Sequence, residues 1–207
     1  PDYTAYGGVD AFSHVIEAYL VWPENDTVLQ DRMAEVFGKT IVETTEICFR
    51  EPENYSARST LMWSAALGWC GMIPAGCGAT RLPNHMIEHT LSALYDVAHG
   101  AGLAAVIPGW ARYIIATRGP GKLAQLGRRV FDVESGSDEA AALRGIEAFE
   151  AWCRRMEVPI RIHELGISRD ETPRIVENAA KTAVAWGMDA TYTPAVIEAV
   201  VERCFET

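Results

Sequence analysis

The sequence has no low-complexity tract. Its 22% charged against 49% hydrophobic residues, with a mean hydropathy of +0.00, exclude a disordered or collagen-like chain. Basic charge is scarce. Eighteen Lys and Arg face 28 Asp and Glu, giving a formal charge of -10, a field that repels nucleic acid and anionic lipid over most of the surface. Neither is an expected partner. Cysteine is also sparse: Cys48, Cys70, Cys77, Cys153 and Cys204 form an odd set with no CxxC pair, as expected for reduced thiols in a cytoplasmic protein. The opening stretch Pro1-Asp-Tyr-Thr-Ala-Tyr-Gly-Gly8 has neither the basic start nor the apolar run of a signal peptide.

Charge is missing altogether from positions 59–80. Gly71, Pro74, Gly76 and Gly78 interrupt that segment, so the expectation is a buried core helix running into a glycine-rich loop, with no membrane span. Strand patterning is nearly absent too. Only 158–163 alternates, and it contains Pro159, so an extended connector is expected there. No Gly-x-Gly-x-x-Gly follows a predicted strand and there is no Walker loop, so this chain alone is not expected to bind a dinucleotide well.

What is present is helical periodicity. Apolar residues Phe12, Val15, Ile16, Tyr19 and Leu20 make one stripe from Asp10 to about Val21, closed by Pro23. A second helix, capped by Asp26 or Thr27, continues to about Phe49. A third starts at Asn54 or Ser56 and passes Trp69. A fourth opens on Pro83 and ends near Ala93. A fifth begins at His99 or Gly100 and runs past Tyr113 with a kink expected at Pro108. Amphipathic segments at 119–131, 137–156, 172–186 and 193–205 complete an all-α class, a single helical domain over 1–207. The breaks at 119–121 and 134–138 are too short to be linkers. Trp22, Trp63, Trp69, Trp110, Trp152 and Trp186 are expected in helix contacts, and Trp63 is a candidate floor for a substrate pocket. Arg128-Arg129 and Arg154-Arg155 read as solvated helix faces.

Histidine is rare, with five in all, yet four fall at helical spacing: His14 one turn after Asp10, then His85 and His89 one turn apart, followed by His99. Residues i and i+4 share a helix face, so Asp10 with His14, and His85 with His89, can each reach one ion. A zincin needs Glu after the first His, but Met86 stands there. Glu88 lies about 100° off the shared face and reads as solvent-side or as a support behind a ligand. His163 stands apart from the cluster and is assigned no role. Tyr95 and Asp96, on the turn before His99, read as packing more readily than as pocket residues, and Gly100 as a helix-start glycine or a point of close backbone approach to the site.

The segments Gly7-Gly-Val-Asp-Ala-Phe-Ser-His-Val-Ile-Glu-Ala-Tyr19, Glu51-Pro-Glu-Asn-Tyr-Ser-Ala-Arg58 with Met62-Trp63, and His85-Met-Ile-Glu-His-Thr-Leu-Ser-Ala-Leu-Tyr-Asp-Val-Ala-His-Gly100 resemble the C-terminal, metal-binding half of iron-containing (group III) alcohol dehydrogenases, in the butanol dehydrogenase-like branch. The resemblance covers essentially the whole chain. It implies the helical bundle of that family, whose dehydroquinate synthase-like and glycerol dehydrogenase-like members use other ligand sets. It also implies that Asp10, His14, His85 and His99 ligate a divalent metal, Fe2+ or Zn2+, while His89 lines the substrate pocket as the candidate catalytic residue. Spacing alone would have put His85 and His89 on the metal together.

The implied activity is NAD(P)-linked interconversion of primary alcohols and aldehydes, in which a cation with an open coordination position polarises the substrate oxygen for hydride transfer. NAD(P)H is then expected to be held mainly by an N-terminal dinucleotide-binding domain absent from this chain. Expected partners are a small alcohol or aldehyde, that missing domain, and a second copy in a homodimer. The alternative from a different class is a structural metal site in a non-catalytic helical interaction domain.

Overall fold

The computed structural model describes residues 2–21, 27–78 and 81–206. Nine α-helices carry the described residues: α1 (Asp2–Val21), α2 (Val28–Arg50), α3 (Tyr55–Trp69), α4 (Pro83–Tyr95), α5 (His99–Arg118), α6 (Gly121–Val130), α7 (Asp138–Arg155), α8 (Thr172–Ala185) and α9 (Pro194–Arg203). Two short 3₁₀ turns lie between α7 and α8, and the described residues include no strand. The all-α class follows, as the periodicity indicated. No described helix is long and apolar enough to cross a membrane.

Helix α1 is the axis of the bundle, packing against α2, α3 and α5 along its length and touching α4 and α6. It begins at Asp2, eight residues before the expected start, and runs straight through Gly7 and Gly8. Gly8 explains the extension: a Cβ there would lie 2.2 Å from Thr45 Cγ2, so the bare backbone lets α2 close onto α1, and that contact outweighs glycine's poor helix propensity. The core continues between α1, α2 and α7. The Phe12 ring stacks on Phe149 at 5.6 Å, and buried Trp152 donates its Nε1–H to the Val42 carbonyl. Behind α5, buried Trp110 donates to the Tyr192 hydroxyl. These two tryptophans are core residues as expected.

Local signals account for most boundaries. The Asn54 side chain accepts from Ala57 N–H and caps α3, Ser137 caps α7 and Thr193 caps α9, while Pro83 occupies the first turn of α4. Thr27 departs from expectation. It sits at the N-terminus of α2, but its hydroxyl donates to the Asp31 carboxylate and caps nothing. Pro1, Trp22, Pro23 and Asp26 lie outside the described residues. Helix α5 continues through Pro108 to Arg118. The 158–161 connector is extended, and a 3₁₀ turn (Ile162–Leu165) then takes over the end of the predicted segment.

The expectation of a buried core helix over the charge-free stretch is corrected. In α3 only Ala57, Ser64 and Gly68 are buried, whereas Met62, Trp63 and Trp69 are largely exposed. Apolar residues surround this helix on every side, so the absence of charge did not specify an inward face. The glycine-rich loop after it is real, with positive φ at Gly71, Gly76 and Gly78.

Candidate metal centre

Three helices converge to bring the histidines together. Asp10 and His14 lie one turn apart on α1. His85 sits in the first turn of α4, and α4 ends at Asp96, whose left-handed conformation (φ 54°) reverses the chain so that His99 starts α5 only three residues later. Asp96 is therefore a helix terminator rather than a pocket group. Tyr95 beside it donates to Glu171 at 2.6 Å, a packing role.

The Asp10 carboxylate is the focus. Its Oδ1 lies 3.3 Å from His14 Nε2, 3.4 Å from His85 Nε2 and 3.4 Å from His99 Nε2. One ligand atom each from Asp10, His85 and His99 lies within 4.8 Å of the others. Tetrahedral coordination with ligand bonds of about 2.0–2.1 Å sets neighbouring donors about 3.3–3.4 Å apart, the spacing found around Asp10 Oδ1. Asp10 Oδ1 and His85 Nε2 are also buried without a hydrogen-bond partner. Buried polar atoms are rarely left so, and two of them facing each other in a cluster of imidazoles fit a divalent cation.

In the metal-free protein, protons take up part of this role. Burial opposes ionisation of Asp10, but the surrounding His14, His85 and His99 outweigh it and hold the carboxyl far below the usual range. Burial likewise works against charging His85 and His99, yet Asp10 with Glu17 raises His85 to about 9, and Asp10 with Glu88 raises His99 to about 10.

Two carboxylates stand behind the histidines. Glu17 Oε1 accepts from His85 Nδ1 at 2.6 Å while its Oε2 accepts from Asn84 N–H at 2.7 Å. Glu88 Oε2 accepts from His99 Nδ1, and its Oε1 accepts from the Ser92 hydroxyl at 2.5 Å. Both carboxylates are completely buried. The solvent-side reading of Glu88 is thereby excluded. Glu17 escaped the sequence reading, although Asp10, His14 and Glu17 stand at i, i+4 and i+7, one continuous helix face.

The His14 ring is held differently, stacked on His85 (centroids 4.2 Å) and in tilted contact with Trp69 (4.1 Å), with its buried Nδ1 unpartnered. His89 is exposed. It packs edge-on to Trp186 at 5.2 Å and lies 5.3 Å from His99 and 6.0 Å from His85, outside the trio around Asp10. Glu88, His89 and His99 form a second trio of close donors, but Glu88 is already engaged by Ser92 and His99. Partial burial of the His89 ring lowers its pKa from the ordinary value, favouring the neutral imidazole.

His14, His85, His89 and His99 share a cavity of about 560 Å³ whose other walls are Trp69, Arg81, Leu82, Trp186 and Met188. Trp63 does not line it, and neither does Gly100, where a Cβ would strike the Tyr6 carbonyl of α1 at 2.1 Å; that glycine serves helix packing. A larger hollow of about 690 Å³, between Tyr3, Tyr55 and Met62, holds none of the clustered donors.

Residues 4–205 match the C-terminal model of the Fe-containing alcohol dehydrogenase family. The chain belongs to that family. It is 36% identical over 180 residues to probable NADH-dependent butanol dehydrogenase 1 of Bacillus subtilis, covering 86% of this chain and 46% of that protein. It is 33% identical over 178 residues to the NADPH-dependent aldehyde reductase YqhD of Escherichia coli, covering 86% and 45%. Among solved structures, NADH-dependent butanol dehydrogenase A of Thermotoga maritima superposes with a TM-score of 0.90 at 31% identity, over 100% of this chain and 53% of that one. The chain spans about half the length of the relatives it matches.

Proposed function

We propose that this chain is the metal-holding, substrate-facing half of an NAD(P)-linked alcohol dehydrogenase or aldehyde reductase acting on primary alcohols and their aldehydes. The observation that carries the reading is the meeting of Asp10 Oδ1 with three imidazole Nε2 atoms at 3.3–3.4 Å on the wall of a cavity. Asp10, His14, His85 and His99 would hold a divalent cation, Fe2+ or Zn2+. Such a cation supplies Lewis acidity to a substrate oxygen. Hydride belongs to the nicotinamide, and the chain's share of that step is to orient the substrate carbon in a walled cavity, with a dinucleotide-binding N-terminal domain outside this chain carrying most cofactor contacts.

His89 faces the same cavity with an exposed, neutral-leaning imidazole, suited to exchanging the alcohol proton at a ring nitrogen. Trp69, Trp186 and Met188 give the cavity apolar walls for a short alkyl chain. The likeness to a butanol dehydrogenase and an aldehyde reductase supports that substrate class. A closed structural site fits less well, because His99 remains 37% exposed and lines the cavity.

Elemental analysis of purified variants tests the ligand set. His85→Ala and His99→Ala are expected to lose stoichiometric metal and His89→Ala to retain it; full metal in the first two would remove the assignment.

A further inference from the structure

We propose that Glu17 and Glu88 are positioning residues for the metal centre, each gripping one histidine by Nδ1 and so fixing Nε2 as the nitrogen turned toward Asp10. The proposal rests on the reading of Asp10, His14, His85 and His99 as ligands. An ionised carboxylate only accepts hydrogen bonds, so a histidine facing one must carry its proton on Nδ1 and leave Nε2 free for a cation. Glu17 does this to His85 from α1 to α4, and Glu88 to His99 from α4 to α5. The two grips tie together the three helices that form the centre.

Each carboxylate is itself held at its second oxygen. Glu17 takes the backbone N–H of Asn84 in the first turn of α4, a donor with no partner within its own helix. Glu88 takes the Ser92 hydroxyl, which also reaches the Val97 carbonyl at 3.1 Å. Room for Glu88 is made by Gly102: a Cβ there would lie 2.5 Å from Glu88 Oε1 and 2.7 Å from its Cγ. A fully buried carboxylate is costly, and an apolar side chain would fill either position at less cost. Both are satisfied at both oxygens, and each is aimed at a histidine beside Asp10, the arrangement expected of groups that orient ligands. His14 has no such support, its Nδ1 being unpartnered.

The test is the affinity of the purified protein for Zn(II) and Co(II), measured by chelator competition, together with the visible absorption of the Co(II) form and the melting temperature of the metal-free protein. Glu17→Gln and Glu88→Gln are expected to weaken binding 10–100-fold and to shift the Co(II) bands. Gly102→Ala is expected to act like Glu88→Gln with every carboxylate retained, and it carries the test if a Gln variant does not fold. Affinity within twofold of wild type and an unchanged Co(II) spectrum in these variants would overturn the proposal, even if melting temperature fell. Failure of the wild type to bind either metal, or unaltered binding by His85→Ala, would instead overturn the ligand reading beneath it.

Discussion

The ring of His14 stacks on His85 at a centroid distance of 4.2 Å and meets Trp69 at 4.1 Å with the two planes tilted by 49°. Because His14 Nδ1 has no hydrogen-bond partner, the angle of this ring is set by its contacts with these two rings and by Asp10 at Nε2. Trp69 is itself 62% exposed, so its truncation removes little buried surface. Trp69→Ala is expected to lower metal affinity several-fold while changing stability of the metal-free protein by less than about 1 kcal/mol. Chelator competition and a thermal melt read the two effects separately. An unchanged affinity would show that the Trp69 ring does not orient His14.

Metal uptake is expected to expel protons. In the metal-free protein His85 and His99 have pKa values raised to about 9 and about 10, so both are protonated at neutral pH, and a cation must replace those protons. Affinity should therefore rise with pH through neutrality and level off above about pH 10. The same shifts have the opposite sign for folding: the stabilisation they give the metal-free protein is complete below the unfolded histidine value near 6.5 and is lost as pH rises through 9 to 10. Calorimetry at pH 7 in buffers of different ionisation enthalpy counts the released protons. About two per metal is the expected result, and none would contradict the charge state assigned to the pair.

Acid sensitivity has a separate source between α2 and α6. Lys122 Nζ lies 2.6 and 2.5 Å from the two oxygens of Asp31, and Gln125 donates to the same carboxylate. Burial raises the Asp31 pKa, but these donors outweigh it and leave it below the ordinary carboxylate value. A depressed pKa contributes stability that is present above the unfolded value near 3.9 and disappears as pH falls through the folded one. Lys122→Met should cost about 1–3 kcal/mol at pH 7 and progressively less below pH 4. Urea unfolding at pH 7 and pH 3 checks the difference, and an equal loss at both would assign the effect to the lysine ammonium's contact with the Tyr19 ring, 4.8 Å from its centroid.

Nicotinamide binding by this chain alone should be weak. The described residues offer no glycine-rich turn between a strand and a helix on which a pyrophosphate could sit. Titration with NADH and with NADPH is expected to give no low-micromolar binding. A low-micromolar complex would place the dinucleotide site on the helices themselves.

Much of this was readable from residue order, for physical reasons that differ by segment. Helices α4 and α5 were legible because Pro83, the His-x-x-x-His spacing and the Asp96 turn act locally. So was the association of Asp10 with His14, which needs only a helical turn. Glu17 was missed because a glutamate inside a helix is ordinarily a solvent-facing residue, and only the packing of α4 across α1 buries it. Glu88 stood about 100° from the histidine face and looked peripheral until α5 closed over it. The charge-free stretch was misread because lack of charge records what a surface avoids, whereas burial depends on which helices cover it; α3 is fully buried only at Ala57, Ser64 and Gly68.

The donors around Asp10 span positions 10 to 99, so an ion seated among them would act as a cross-link closing a loop of roughly 90 residues, much as a disulfide does. Helices α6 to α9 lie beyond that loop and contribute no donor to it. Metal binding would thus restrain the first half of the chain directly, and the second half only through helix packing, which joins α6 and α7 to α2, α8 to α4 and α9 to α5.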